Sequence, residues 1–119
     1  MSDLRPKPPE IEIGGKKYGV LFNLNAIDEI QDRFDIPISH LAELMQDERK
    51  VFKVLKSLLA ILINEAIDDL ESGEPHVDER FIGRKISVAD IPTLKDKVFA
   101  AFTLGMPEGE DDDPNAMSE

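Results

Sequence analysis

The chain has 119 residues, which is enough for one domain with one modest core, and its content of 41% hydrophobic and 33% charged residues is globular. Its net charge of −11 disfavours binding to a nucleic-acid backbone, which requires clustered lysine and arginine. The chain contains no cysteine, which excludes disulfides and thiolate metal sites.

The first predicted element after an N-terminal arm is a β-hairpin. Residues 1–9 contain three prolines and no hydrophobic periodicity, so we predict a flexible arm. Beyond them, apolar and polar residues alternate on both sides of Gly14-Gly15, a pair that tolerates the positive φ of a tight turn. The apolar members of the alternation are Ile11, Ile13, Tyr18, Val20 and Phe22.

Two helices are predicted next. Leu24, Ile27, Ile30 and Phe34 recur at helical spacing in the first of them. Asn23 or Asn25 is its expected N-cap, and Ile36-Pro37 is its expected end, since a residue before proline avoids the α region. Ser39 is expected to cap a short second helix.

The third helix is predicted over residues 48–70, with Gly73 as its C-terminal stop. Its apolar residues spread over an arc of roughly 240°, whereas an ordinary surface helix buries a stripe little more than 100° wide. This helix must therefore be covered on several sides.

Two further helices complete the predicted domain. Asp78 is expected to begin a short one, and Ser87 with Asp90 forms the pattern of a capping box before the last one. Pro92 suits the first turn of that last helix, and Gly105 is expected to end it. Its apolar face consists of Leu94, Val98, Ala101 and Phe102.

The fold is therefore predicted to be mainly α, with an N-terminal β-hairpin followed by four to five helices (α+β by strict count). One compact domain is expected to span residues 10–107. Residues 108–119 hold six acidic residues and no basic residue, which predicts a disordered acidic tail.

No residue pattern in the chain indicates catalysis, a cofactor or a metal, so we predict that the protein is not an enzyme. The two histidines, His40 and His76, lie in different predicted elements and lack zinc-site spacing. Carboxylate pairs such as Asp28/Asp32 and Glu65/Asp69 are typical of solvated helix faces. An enzymatic alternative would be a metal-assisted hydrolase that uses these carboxylates.

The N-terminal sequence has no apolar segment of the kind found in secretory signals. The longest apolar run, residues 58–63, is far shorter than the about 20 residues that a membrane span needs. We therefore expect a cytoplasmic protein without a membrane partner.

The wide apolar arc of the third helix allows two interpretations. Neighbouring elements cover it completely as a buried central helix, which is the interpretation we favour, or part of it is exposed and binds a partner. The residues expected to line such a partner groove or self-association surface are Phe52, Leu59, Ile63 and Leu70, with Leu94, Val98 and Phe102 on the last helix.

The stretch IEIGGKKYGVLFNLNAIDEIQDRF (residues 11–34) resembles the opening of tail assembly chaperones of tailed phages, a family that includes gene-transfer-agent relatives. The resemblance rests on Gly14-Gly15, Phe22-Asn23 and Asn25-Ala26. The ending KVFAAFTLGMPEGEDDDPNA (residues 97–116), an apolar helix that passes into an acidic tail, is similar as well. The sequence departs from the family pattern at Asp35, where a glycine is expected.

This resemblance implies a protein that binds the tape measure protein, a long helical chain, and keeps it soluble until tail tube subunits polymerise around it. The tail tube protein is then a second expected partner, and the chaperone is expected to be absent from the mature virion. The alternative is a structural virion component, such as a head–tail connector or a tail-completion protein.

Overall fold

The computed structural model describes the backbone of residues 9–105 and the side chains as far as Thr103. The predicted acidic tail, residues 108–119, and all but the last residue of the predicted arm lie outside the described residues. Pro9 itself is tied to the domain, because its carbonyl accepts a hydrogen bond from the Val20 amide at 2.9 Å.

A β-hairpin opens the domain, as predicted. Strands β1 (Glu10–Ile13) and β2 (Lys16–Gly19) pair antiparallel, so that Glu10 lies opposite Gly19 and Ile13 opposite Lys16. Gly14 and Gly15 form the turn at φ 61° and 85°, a region that residues with a Cβ rarely enter. The buried side chains of the hairpin and of the segment that follows it are Ile11, Ile13, Tyr18, Val20 and Phe22.

Five α-helices follow the hairpin within residues 9–105, which confirms the predicted mainly α fold. They are α1 (Leu24–Phe34), α2 (Leu41–Met45), α3 (Val51–Leu70), α4 (Glu79–Lys85) and α5 (Ile91–Gly105). Short 3-10 turns precede α2 (Ile38–His40) and α5 (Val88–Asp90).

Helix α3 forms the centre of the core. It packs against β2 and against the other four helices, and eleven of its 20 residues are buried. The wide apolar arc predicted for this helix is therefore mostly covered, as expected for a central helix. The Phe22 and Phe102 rings meet edge to face, with centroids 4.8 Å apart, and join α5 to the segment that follows the hairpin.

Polar side chains begin several of the helices. Of the two candidate caps for α1, Asn23 is the one used: its Oδ1 accepts a hydrogen bond from the Ala26 amide at 2.9 Å. The short second helix is present as predicted, but its predicted cap is wrong, because Ser39 lies inside the preceding 3-10 turn and does not cap α2. The amide of Ile38, at the start of that turn, donates instead to the Gln31 side chain at 2.8 Å.

The predicted starts of α4 and α5 are confirmed. Asp78 caps α4 by accepting the Phe81 amide at 2.8 Å. Ser87 and Asp90 form the capping box, although the box encloses a 3-10 turn that leads into α5 rather than the first turn of α5 itself. The Ser87 amide donates to the Asp90 carboxylate at 2.8 Å.

The predicted end of α3 at residue 70 is confirmed, although the helix begins at Val51 rather than at residue 48. The residue that stops it is Glu71, which is left-handed at φ 52°, rather than the predicted Gly73. Helix α1 ends at Phe34, before the expected Ile36-Pro37, because Asp35 adopts a left-handed conformation, at φ 55°. Asp35 and Glu71 occupy positions that glycine usually fills.

Candidate functional site

The seven residues predicted to contact a partner divide between the core and the surface. The four that are at most 4% exposed are Leu59, Ile63, Leu94 and Val98. These four are core side chains with little or no exposed surface for another molecule to contact. Phe102 is half-buried against Phe22.

Phe52 and Leu70, at opposite ends of α3, are the two members of that set that face solvent. Their exposed fractions are 45% and 54%. Leu24, at the start of α1, is also exposed, at 82%. Leu24 is a single surface side chain of a common kind, whereas Phe52 forms part of a larger apolar feature.

That feature is a small open groove beside the first turns of α3. Phe52 forms one wall, Ile86 and Val88 supply apolar surface from the segment between α4 and α5, and Ile91 supplies it from the start of α5. Val88 is 74% exposed, so its side chain projects from the 3-10 turn into solvent. The groove has a volume of about 180 Å³, which gives room for roughly one large side chain of another molecule.

Gly83 leaves room for the Lys56 side chain beside α4 at this groove. A Cβ at this position would lie 3.1 Å from Cδ and 3.6 Å from Nζ of Lys56. Without a Cβ at this position, the Lys56 side chain can lie directly over α4. The Lys56 side chain thus lies at the edge of the groove.

The network around Glu79 holds α4 in place behind this groove. Glu79 Oε2 accepts hydrogen bonds from Ser57 Oγ at 2.5 Å and from Arg33 Nη1 at 2.6 Å. Ser57 is 1% exposed, so its hydroxyl needs a partner of this kind. The three residues lie on α1, α3 and α4, and their hydrogen bonds fix the relative positions of these helices.

Asn64 fixes the loop that leads into α4. Its side chain donates to the carbonyl of Val77 and accepts from the amide of Val77, both at 2.8 Å. This paired hydrogen bond satisfies the backbone of a partly buried loop residue. Asn64 therefore sets the path of the chain from α3 to α4.

The helical spacing of α3 indicated Phe52, but no sequence pattern indicated Val88. Ile86, before the Ser87 cap, and Ile91, four residues after it, occupy the positions of a hydrophobic staple. Recognising that staple would have indicated an apolar cluster at the start of α5. It would not have shown that Phe52 lies beside the cluster, because that contact depends on the packing of α3 against α4.

The histidines and carboxylates form no comparable site within the described chain. His76 pairs with Asp68 at 2.8 Å on the surface, and Glu65 accepts from Asn23 at 2.8 Å. Residues 9–105 contain no group of three histidine or acidic side chains placed to hold a metal ion.

None of the helices in the described range combines the length and the apolar character needed to cross a bilayer. Comparison of the chain with protein-family models, with curated proteins and with solved structures gave no match.

Proposed function

We propose that the protein is a tail assembly chaperone of a tailed phage or prophage, which binds the tape measure protein and keeps it soluble during tail assembly. The apolar groove between Phe52 and Val88 is the observation that carries the proposal. In this role the groove takes an apolar side chain from a helical segment of the tape measure protein.

The residues that carry the family resemblance have structural roles that support the comparison. Gly14 and Gly15 make the hairpin turn, and Phe22 is buried in the core. Asn23 caps α1, and Ala26 packs the first turn of that helix against the core at 0% exposure. The motif therefore specifies how the hairpin joins α1, a feature that proteins of one fold would share.

The size and exposure of the groove suit a protein that holds its partner and then releases it. A site with room for one side chain gives a small interface, which is typical of weak and transient contacts. Several copies bound along one long chain would together cover its apolar face. The net charge of −11 would then keep the assembly soluble.

Two measurements test this function. The chain is co-expressed with the longest helical protein encoded nearby, and the soluble fraction of that protein is compared with and without the chain. We expect the long protein to be soluble only in co-expression and to co-purify with this chain. If it stays insoluble and unbound, the chaperone proposal is wrong.

Mass spectrometry of purified particles separates this proposal from its alternative. A chaperone should be absent from the particles or present in trace amounts. A head–tail connector or tail-completion protein would instead be present in stoichiometric amounts.

A further inference from the structure

Basic residues are concentrated in the two segments that border the groove, although the chain as a whole is acidic. Residues 47–56 hold four basic and two acidic residues, and residues 79–88 hold three basic and one acidic residue. These two segments thus contain seven of the 14 lysines and arginines of the chain. The net charge of these two segments is therefore opposite in sign to the net charge of −11 of the whole chain.

Two of these cations lie on α3 beside the apolar wall. Lys56 lines the groove directly. Lys53 lies three residues before Lys56 on α3, so the two side chains are neighbours on the helix surface. Lys53 is exposed, so its charged end is accessible to another molecule. Arg84, in contrast, lines a separate depression.

These cations have no carboxylate partner among residues 9–105. The salt bridges of the described chain involve Lys16, Arg33 and His76 instead. The acidic residue of α4 and that of the 3-10 turn before α5 form hydrogen bonds or salt bridges with other residues. Glu79 binds Arg33 and Ser57, and Asp90 binds Ser87.

We propose that the groove binds an acidic amphipathic helix of a partner protein. One large apolar side chain of that helix lies between Phe52 and Val88. Carboxylates three or four positions away along the same helix lie close enough to pair with Lys53 and Lys56. This inference rests on the proposed function, because it specifies the chemistry of the segment of the partner that the groove receives.

The proposal predicts that the groove prefers acidic peptides, although the overall negative charge of the protein opposes their binding. A chain with a net charge of −11 attracts basic peptides and repels acidic ones through its long-range field. Tighter binding of an acidic peptide therefore requires local contacts with cations, and general electrostatic attraction cannot mimic it.

The experiment uses two synthetic amphipathic helices of about 18 residues, a length at which isolated helices form. Both carry leucine at the same helical positions, with glutamate flanking the leucines in one peptide and lysine in the other. Binding of each labelled peptide to the full chain is measured by fluorescence anisotropy. We expect the glutamate peptide to bind roughly tenfold more tightly at low salt, and we expect this preference to shrink as salt screens the pairs.

Charge-reversal variants locate the preference. The double variant Lys53→Glu/Lys56→Glu should lose it, and the single variant Lys53→Glu, whose side chain is exposed, should weaken it. The matched control is Lys95→Glu/Lys97→Glu on α5, which changes the net charge equally and should keep the preference.

Several results would overturn the inference. Equal binding of the two peptides, or tighter binding of the lysine peptide, would show that the cations do not select the partner. Sedimentation that shows a dimer of the chain, converted to monomer by Phe52→Asp, would assign the groove to self-association. A requirement to neutralise the acids of residues 108–119 before the glutamate peptide binds would assign the groove to that segment of the chain.

Failure of this inference is distinguishable from failure of the proposed function. One outcome is that Phe52→Asp abolishes co-purification of the long helical protein while charge reversal leaves the preference for the glutamate peptide unchanged. In that case the groove binds the long protein, and the inference of an acidic partner is wrong. If the long protein never co-purifies while the peptide preference holds, the groove binds an acidic helix and the chaperone function is wrong.

Discussion

Ile63 and Phe52 lie on the same helix, α3, and both belong to its apolar arc, but the structure gives them different environments. Ile63 is 0% exposed, whereas Phe52 is 45% exposed and lines the groove. Replacing each of them by alanine separates a core position from a surface position on one element.

The two substitutions should differ severalfold in their effect on the free energy of unfolding. Truncating a fully buried isoleucine to alanine costs about 2–5 kcal/mol, because the removed atoms leave a cavity. Full burial of a large apolar side chain contributes about 1.5–3 kcal/mol, so truncating the half-exposed Phe52 should cost about 1 kcal/mol. For a domain of this size, each kcal/mol lowers Tm by about 4–8 °C.

Thermal and urea denaturation followed by far-UV circular dichroism measure both changes. We expect Ile63→Ala to lower Tm by at least about 8 °C and by about two to five times as much as Phe52→Ala, which should lower it by about 4–8 °C. Equal losses in the two variants would refute the assignment of Phe52 to an exposed groove. A negligible loss in Ile63→Ala would refute the assignment of Ile63 to the core.

The buried position of Ile63 also determines the expected effect of Ile63→Asp. If Ile63 lined a partner groove, this variant would fold and fail only to bind the partner. With Ile63 buried at 0% exposure, an aspartate would place an unpaired carboxylate in the core, and we expect the domain to unfold.

Two further predictions concern the C-terminal end of α3 and the loop that connects α3 to α4. Glu71→Gly should stabilise the domain by about 0.5–1 kcal/mol, because Glu71 has φ 52° and glycine adopts this conformation without strain. Urea denaturation checks this value, and the neighbouring variant Ser72→Gly should give no gain; equal gains would contradict the argument. Asn64→Asp should cost about 1–2 kcal/mol and increase amide hydrogen exchange in residues 71–78, because it removes the donor to the Val77 carbonyl. Unchanged exchange would show that Asn64 does not fix this loop.

The sequence was sufficient to predict the hairpin and the main helices because local signals specify them. Gly14-Gly15 fixes the turn, and Asp78 and Ser87 cap the helix starts at which they were predicted. The spread of apolar residues on α3 was sufficient to predict a helix covered on several sides.

The residues that stop α1 and α3, Asp35 and Glu71, were not predictable in this way. Both adopt a left-handed conformation, and neither aspartate nor glutamate signals it as glycine does. The 3-10 turn that contains Ser39 was missed for a related reason, since serine is equally typical of a helix cap and of a turn.

The candidate site was only partly predictable because helical periodicity gives the width of an apolar arc but not the part of it that stays exposed. Phe52 and Leu59 lie seven residues apart on the same side of α3, yet Leu59 is 0% exposed and Phe52 is 45% exposed. The difference depends on where α4 and the segment before α5 cross α3. Those crossings place Val88 on the same groove as Phe52, and no local sequence signal predicts this arrangement.

The most direct test asks whether the groove between Phe52 and Val88 binds the tape measure protein. The full chain, the double variant Phe52→Asp/Val88→Asp and the control Leu24→Asp are each co-expressed with the longest helical protein encoded nearby. Leu24 is 82% exposed and lies at the start of α1, so its variant places a new carboxylate on a different part of the surface. We expect the unmodified chain and the control to keep the long protein soluble and to co-purify with it, and the double variant to do neither although it remains folded. Co-purification of the folded double variant at the level of the unmodified chain would contradict the central claim.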